Sequence, residues 1–302
     1  MKIAVTGASG LIGRALLAVL EADGHEAIKI ARKASGASRE NVLWDPAART
    51  IDLNGLEGVD AVVHLAGESI VGRWTDALRH KILKSRVDGT RLIAETITKL
   101  KRPPKVFVCS SAIGFYGDRD QEVLDESSSA GKGFLSEVCQ AWENAALPAK
   151  NAGIRTVHLR TGIVLSAKGG ALAKMLPPFR MGLGGVLGNG LQYMSWVAID
   201  DMAGIILHAL KTNGLEGAVN AVSPSPVTNR DFTKALGRAL HRPTLFPVPS
   251  LGLRLLFGEM ADALLLASTR ALPRKLQENG YIFKYPELGP ALSAIFGQEL
   301  GR

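Results

Sequence analysis

The sequence predicts an α/β protein, built on a doubly wound parallel sheet with a smaller substrate-side and C-terminal domain that is discontinuous in the chain. Three observations predict it. Short apolar runs alternate with segments of helical period up to about residue 222, the pattern of successive parallel crossovers. Several of those runs are continuously apolar, as strands buried on both faces require. A glycine-rich interval near 162–190 then interrupts the alternation.

Taken in order, KIAVT is a strand entering a turn, TGASGLIG. Leu11, Ile12, Ala15, Leu16, Val19 and Leu20 recur at helical spacing, and the helix stops near Gly24. EAIKIA (26–31) is the second strand, VDAVVHLAG (59–67) the next, and 75–100 is helical. KVFVCSS (105–111) is a strand, and 134–150 a helix whose end Pro148 distorts. IRTVHLRTG (154–162) and GAVNAV (217–222) are strands on either side of a helix at 200–210. The interval 162–190, with two adjacent prolines and MGLGGVLGNG, reads as loop around a substrate. A helix is expected at 228–240, another near 288–297, and a strongly apolar one at 251–266, buried against the substrate domain or a partner subunit. Residues 1–165, with 190–225 returning to them, form the first domain. Residues 166–189 and 226–302 form the second.

The chain of 302 residues, 46% hydrophobic, is long enough for one substantial core plus a smaller unit. MKIAVTG reads as a strand entering a turn, not as a secretory segment, and no apolar run is long enough to span a membrane. Cys109 and Cys139 form no close metal or redox pair, so no metal is expected and a reducing, cytoplasmic setting fits. The net charge of +8 comes from dispersed basic residues. That reads as a solvated surface with positive potential for an anionic small molecule, not as a nucleic-acid interface. Homo-oligomerisation is left open.

In TGASGLIG, Gly7 permits the tight turn, Gly10 clears space where backbone meets pyrophosphate, and Gly13 lets the helix pack close. Ser9, Leu11 and Ile12 complete the phosphate-binding backbone at the helix N-terminus. A Rossmann-type dinucleotide site follows. An acidic residue at the end of the second strand would mark NAD; Arg32 and Lys33 stand there instead, so NADP(H) is expected. Leu65, Ala66, Gly67 and Glu68, after the next strand, are expected beside the adenine or ribose, a plain strand-end turn being the alternative.

TGASGLIG, HLAG, SSAIGFYG and WVAIDDMA resemble the extended short-chain dehydrogenase/reductases. WDP at 44–46, HLAGESI at 64–70, LPPFRMGLGG at 176–185 and FGEMADALLLASTRALPRKL at 257–276 resemble an atypical branch, the nucleoside-diphosphate-sugar epimerase-like proteins with a C-terminal domain of unknown function. The resemblance covers nearly the whole chain. It implies a Tyr and a Lys at Y-x-x-x-K on one helix face and a Ser or Thr at the preceding strand end. Counting back from Glu143 puts Cys139 at the Lys position and Leu135 at the Tyr position; a shift of one brings Phe134 there. Counting back from Tyr116 puts Ala112 at the Ser/Thr position, with Ser111 beside it. All three roles are vacant, and the residues that epimerisation of a UDP-sugar would need are absent.

Tyr116 is then the nearest phenol for proton donation, and Ser111 a binder of the substrate oxygen. Arg160 is placed to reach a substrate anion, with a surface ion pair as the alternative; Tyr193 and Trp196 are expected to line the cleft. Asp200 and Asp201 read as a helix N-cap. Two functions remain open. One is an NADP(H)-dependent oxidoreductase-like protein acting on an unidentified carbonyl, alcohol or sugar nucleotide. The other is a non-catalytic NADP(H)-binding sensor or regulatory protein.

Overall fold

The structure, a computed structural model, describes residues 1–32 and 41–300, with side chains up to residue 297. The first strand β1 (Lys2–Thr6) leads into helix α1 (Leu11–Ala22) and strand β2 (Glu26–Ala31). Strands β3 (Asn41–Asp45), β4 (Thr50–Ile51) and β5 (Ala61–His64) precede the long helix α2 (Asp76–Ile97). Then come β6 (Val106–Ala112), β7 (Val123–Leu124), α3 (Phe134–Ala145), α4 (Leu147–Asn151), β8 (Arg155–Thr161) and β9 (Ile163–Leu165). Helix α5 (Gly170–Arg180) is followed by β10 (Tyr193–Met194), β11 (Trp196–Ala198), α6 (Ile199–Lys211) and β12 (Gly217–Ala221). The chain closes with β13 (Val227–Thr228), α7 (Asn229–Ala239), α8 (Ser250–Phe257), β14 (Arg270–Ala271), α9 (Arg274–Glu278) and α10 (Leu288–Leu300).

The main sheet runs β12-β8-β6-β5-β1-β2-β3-β4, parallel throughout except for β4, which pairs antiparallel with β3. Alternate residues of the buried strands feed two cores, which is why their sequences are continuously apolar. Ile3, Val5, Val63 and Val108 face Leu16 and Leu20 of α1 and Met202, Ile205 and Ile206 of α6. Ala4, Val62 and Phe107 face the other way, onto Ile93, Ala94 and Ile97 of α2. Winding reverses at β1, toward β2 on one side and β5 on the other, so a crevice opens at the carboxyl ends of these strands.

A third core gathers α5, α7, α10 and β11: Leu172, Leu176 and Phe179 meet Trp196, Phe232, Leu236 and Leu292. This is the smaller, discontinuous part of the α/β fold.

Three expectations need correction. The interval 162–190 is not all loop, because it holds β9, which pairs in parallel with β11, and α5. Pro177 and Pro178 fall in the last turn of α5, where each removes one backbone donor and the buried Leu172, Leu176 and Phe179 hold the helix nonetheless. The segment 134–150 is two helices, with Pro148 in the first turn of the second. The apolar segment 251–266 breaks at Gly258 into α8 and a π-helix, and α8 is mostly exposed: Leu251, Leu255 and Leu256 are 66, 73 and 72% accessible, and only Leu253 is buried. Among the described residues no helix is long and apolar enough to cross a membrane.

Candidate functional site

The glycine turn sits at the carboxyl end of β1. Gly7 has φ of +67°, a region L side chains avoid, and a Cβ there would come within 2.8 Å of the Leu65 backbone. A Cβ on Gly13 would lie 2.2 Å from the Gly7 carbonyl oxygen, so glycine is needed for α1 to start this close to β1. Gly10 differs: it is exposed, and a Cβ there would meet only that same oxygen, at 3.1 Å. The space beyond Gly10 is open. Ser9 beside it is exposed, and Leu11 and Ile12 are half-buried. No side chain caps α1 and no acid stands in its first turn, so its leading amides carry positive potential toward the crevice.

Thr6 joins the turn to the next strand end. Its hydroxyl accepts from the amides of Leu65 and Ala66, at 3.1 and 3.2 Å, and lies 2.7 Å from Nδ1 of His64. With both acceptor positions used, the hydroxyl donates its proton to Nδ1, which makes His64 the neutral Nε2–H tautomer. Burial pushes its pKa down to about 4, in agreement. Ala66 and Gly67 follow, the latter against the Arg86 guanidinium. The Glu68 amide donates to Ser85 Oγ at 3.2 Å, and its carboxylate lies 3.5 Å from Lys81 Nζ.

Arg32 lies exposed just past β2, beside a shallow cavity of about 300 Å³ that it lines with Leu43, Trp44, Asp45, Thr50, Ile51 and Asp52. The two carboxylates there are engaged locally: Asp45 accepts from the amides of Ala47 and Ala48, Asp52 from that of Asn54. Lys33 lies outside the described residues.

On the other side of the crevice, three expected site residues converge on one buried network around Glu143 of α3. Arg160 is 5% exposed; its Nε and Nη2 donate to the two Glu143 oxygens at 2.9 and 3.0 Å. Ser111 Oγ donates to the same carboxylate at 2.7 Å. Arg160 Nη1 donates to the Tyr116 hydroxyl at 3.1 Å, while that hydroxyl lies 2.7 Å from Asn220 Oδ1 and 2.9 Å from the Asp125 carbonyl, either of which takes its proton. The guanidinium also lies 3.4 Å from the centre of the Phe115 ring. Burial works against charge on Arg160, but the Glu143 carboxylate outweighs it and raises the pKa. Burial likewise raises that of Tyr116.

This arrangement corrects the roles expected of the three residues. Tyr116 is fully buried and its hydroxyl committed on both sides, so it is not poised as a proton donor to a substrate. Ser111 is 3% exposed and turned to Glu143 instead of the crevice. Arg160 forms not a surface pair but an internal one, with Glu143. Trp196 belongs to the third core, with Nε1 donating to the Ser225 carbonyl, so it does not line a cleft. Tyr193 is half-buried under the Arg270 guanidinium, 4.6 Å from its ring centre. Asp201 does not cap α6, whose N-cap is Ala198; it is buried and accepts from the amides of Lys284 and Tyr285. Asp200 pairs with Lys284 Nζ at 2.8 Å.

The face of α3 carrying Leu135 and Cys139 packs toward Gly114, where a Cβ would lie 3.3 Å from Leu135 and 3.9 Å from the Cys139 thiol. Neither side chain brings a phenol or an ammonium to that face, and burial pushes the Cys139 thiol up to about 12. Thr6, His64, Glu143, Asn220 and Arg86 are the polar residues that sequence reasoning did not assign to the site. Thr6 opens the TGASGLIG motif, His64 opens HLAGESI and Glu143 anchors the α3 count, so three of them stood in view. Among the described residues no group of His, Cys, Asp and Glu side chains is placed to hold a metal ion.

Residues 3–221 match the NAD dependent epimerase/dehydratase family, and residues 248–295 match a domain of unknown function, DUF1731. The chain is 42% identical to an epimerase family protein of Mycobacterium bovis, covering 96% of each. It is 36% identical to the epimerase family protein YfhF of Bacillus subtilis, covering 98% of each. A crystal structure of the human epimerase family protein SDR39U1 with NADPH superposes with a TM-score of 0.90 at 38% identity, covering 98% of this chain and 99% of that one. With the glycine turn, the parallel sheet and the C-terminal unit all accounted for, the chain belongs to the NAD dependent epimerase/dehydratase family.

Proposed function

We propose that the protein binds NADP(H) and is an oxidoreductase-like member of its family, acting on a polar or anionic small molecule. The observation that carries this reading is the glycine turn, where uncapped helix amides face open space beyond Gly10. Gly7, Ser9, Gly10, Leu11, Ile12 and Gly13 would hold the pyrophosphate, and Leu65, Ala66, Gly67 and Glu68 the adjoining ribose. Arg32, with Lys33 beyond it in sequence, would hold the 2′-phosphate through its planar fork. The NADPH in the human relative's structure supports the same choice. When bound, the reduced cofactor supplies a hydride. The chain's own part is to hold the dinucleotide and exclude water from its reactive half.

Leu172, Leu176, Phe179, Phe232, Leu236 and Leu292 of the third core support assigning 166–189 and 226–302 to the substrate side. Met202, Ile205, Ile206 and Val219 on the main sheet support returning 190–225 to 1–165 on the cofactor side, although Met194 and Trp196 pack in the third core. Free, buried Cys109 and Cys139 support a reducing, cytoplasmic setting. The net charge of +8 supports a polar or anionic substrate.

The test is a titration of nucleotide-free protein with NADPH and NADH. Tighter binding of NADPH is expected, with Arg32→Ala lowering NADPH affinity roughly 10- to 100-fold and NADH affinity little. Equal losses would remove the 2′-phosphate assignment. A second reading, a non-catalytic NADP(H)-binding sensor, is favoured by the enclosed Tyr116 and by Leu135 and Cys139 on α3. Product formation across a chemically diverse substrate panel separates the two.

A further inference from the structure

Large apolar side chains stand exposed along two adjacent stretches of the chain. Met181 and Leu183 lie just past α5. Leu245 and Phe246 precede α8, and Leu251, Leu255 and Leu256 lie on it. The two stretches run side by side. The Val248 amide donates to the Val186 carbonyl at 2.8 Å, the Gly188 amide to the Val248 carbonyl at 2.9 Å, and Arg242 Nε to the Arg180 carbonyl at 2.9 Å. On α8 the three leucines and Gly252 share one side, while Leu253 on the opposite side is buried. The apolar side chains therefore project outward together from a helix and the loop before it. An apolar patch of this kind on a folded chain marks a contact with something else.

Charge beside the patch says what that is. Lys234 and Arg238, one turn apart on α7, line an open groove of about 550 Å³ with His241, Arg242, Pro243 and Thr244. Gly237 lets the loop close against α7, since a Cβ there would lie 2.5 Å from Thr244 Cγ2 and 2.9 Å from the Arg242 carbonyl oxygen. The same loop runs on into Leu245 and Phe246, so the groove and the apolar face adjoin. Among the described residues Lys234 and Arg238 have no carboxylate partner. The neighbouring acids are engaged elsewhere. Asp231 takes the Thr228 hydroxyl at 2.6 Å, Asp262 holds Arg254 at 2.9 Å, and Glu259 holds Arg79. A helix C-terminus favours a cation, which accounts for Arg238 but not for Lys234 in mid-helix or Arg242 beyond the end.

We propose that this face seats on the surface of an anionic lipid bilayer. The leucines of α8, with Leu245 and Phe246, enter the boundary between headgroups and acyl chains, and Lys234, Arg238 and Arg242 meet the lipid phosphates. Projecting leucines beside unpaired cations match both layers of that boundary. A helix of eight residues, about 12 Å long, lies on a bilayer and does not cross it. A second copy of the chain fits less well, because pairing this face with itself would set Lys234, Arg238 and Arg242 against the same cations. The attachment is independent of the cofactor reading.

The test is co-sedimentation of the full chain with two kinds of vesicle: phosphatidylcholine alone, and an equal mixture of phosphatidylcholine and phosphatidylglycerol. Binding to the anionic vesicles is expected, with little to the neutral ones, and added salt is expected to weaken it. Leu251→Ser with Leu255→Ser, and separately Lys234→Glu with Arg238→Glu, are each expected to lower partitioning roughly 10- to 100-fold. All four side chains are exposed, so an unchanged melting temperature checks that each variant is folded. No binding of the wild-type chain to anionic vesicles would overturn the proposal. Equal binding to both vesicles, or unchanged partitioning of either double variant, would do the same. A mass that doubles with concentration without lipid, and falls back in the leucine variant, would assign the face to a second copy and overturn it too.

Discussion

Thr6 is a small residue on which much of the crevice depends. One hydroxyl satisfies two amides at the end of β5 and fixes the tautomer of His64, so it ties the phosphate turn to the ribose-side backbone. Thr6→Val keeps the shape and removes the hydroxyl, leaving two amides and an imidazole nitrogen unpaired. The expected cost is about 2–3 kcal/mol in denaturant unfolding, with weaker NADPH binding. Unchanged stability would show that water replaces the hydroxyl. His64 adds a pH dependence with a definite sign. Its pKa falls from 6.5 to about 4 on burial, so between those values the unfolded chain binds a proton that the folded chain refuses. Stability from this residue is full above pH 6.5 and declines as pH falls toward 4, by about 3 kcal/mol. His64→Asn keeps an acceptor near the Thr6 hydroxyl and cannot take the proton. The wild-type minus variant difference in unfolding free energy is therefore expected to slope over that window and be flat above it. A flat difference throughout would mean that His64 is not neutralised by folding.

At the level of single elements, β8 and α3 are joined by charge where the family pattern would lead one to look for chemistry. Glu143→Gln leaves the Arg160 guanidinium buried with a weaker acceptor and unsettles Ser111 and Tyr116 together. A loss on the order of 3 kcal/mol is expected, because an uncompensated buried charge costs more than its pair contributes. If NADPH affinity survives in the folded variant, the network is a brace; if affinity collapses while stability holds, it shapes the site directly. The contrast with the glycine turn shows what a chain discloses. Gly7, Gly10 and Gly13 act within seven residues of sequence, so their spacing carries the geometry. Arg160 meets Glu143 across 17 positions and Tyr116 across 44, and Tyr116 meets Asn220 across 104, distances over which no periodicity speaks. The partners that Ser111, Tyr116 and Arg160 meet in the fold were therefore out of reach of sequence spacing. Helix α5 was hidden for a different reason. Its prolines were weighed as breakers, yet burial of Leu172, Leu176 and Phe179 outweighs the few bonds they remove. In α8 the apolar content was plain, but which neighbour would cover Leu255 and Leu256 was not, and among the described residues none does.

The whole molecule depends on how the third core is fastened to the sheet. Asp201, at the start of α6, is 2% exposed and faces the chain between α9 and α10. Its two oxygens accept from the amides of Lys284 and Tyr285 at 2.7 and 2.9 Å, and the Tyr281 hydroxyl lies 3.1 Å away. Gly204 makes room for that ring, since a Cβ there would come within 2.6 Å of the phenol oxygen. One carboxylate thus links a helix of the main sheet to the segment that delivers α10 to the third core. Asp201→Ala leaves the amides of Lys284 and Tyr285 without their acceptor and the Tyr281 phenol with only the carbonyl of residue 201, at a cost on the order of 2 kcal/mol. Where that loss shows up tests how the parts are coupled. If the fastening is local, hydrogen exchange accelerates at residues 281–297 while the amides of β1, β5 and β6 keep their protection. If the sheet and the third core unfold as one unit, exchange accelerates in both by the same free energy. The first outcome is expected, because α10 packs on α7 within the third core and Asp201 holds the segment that delivers it there.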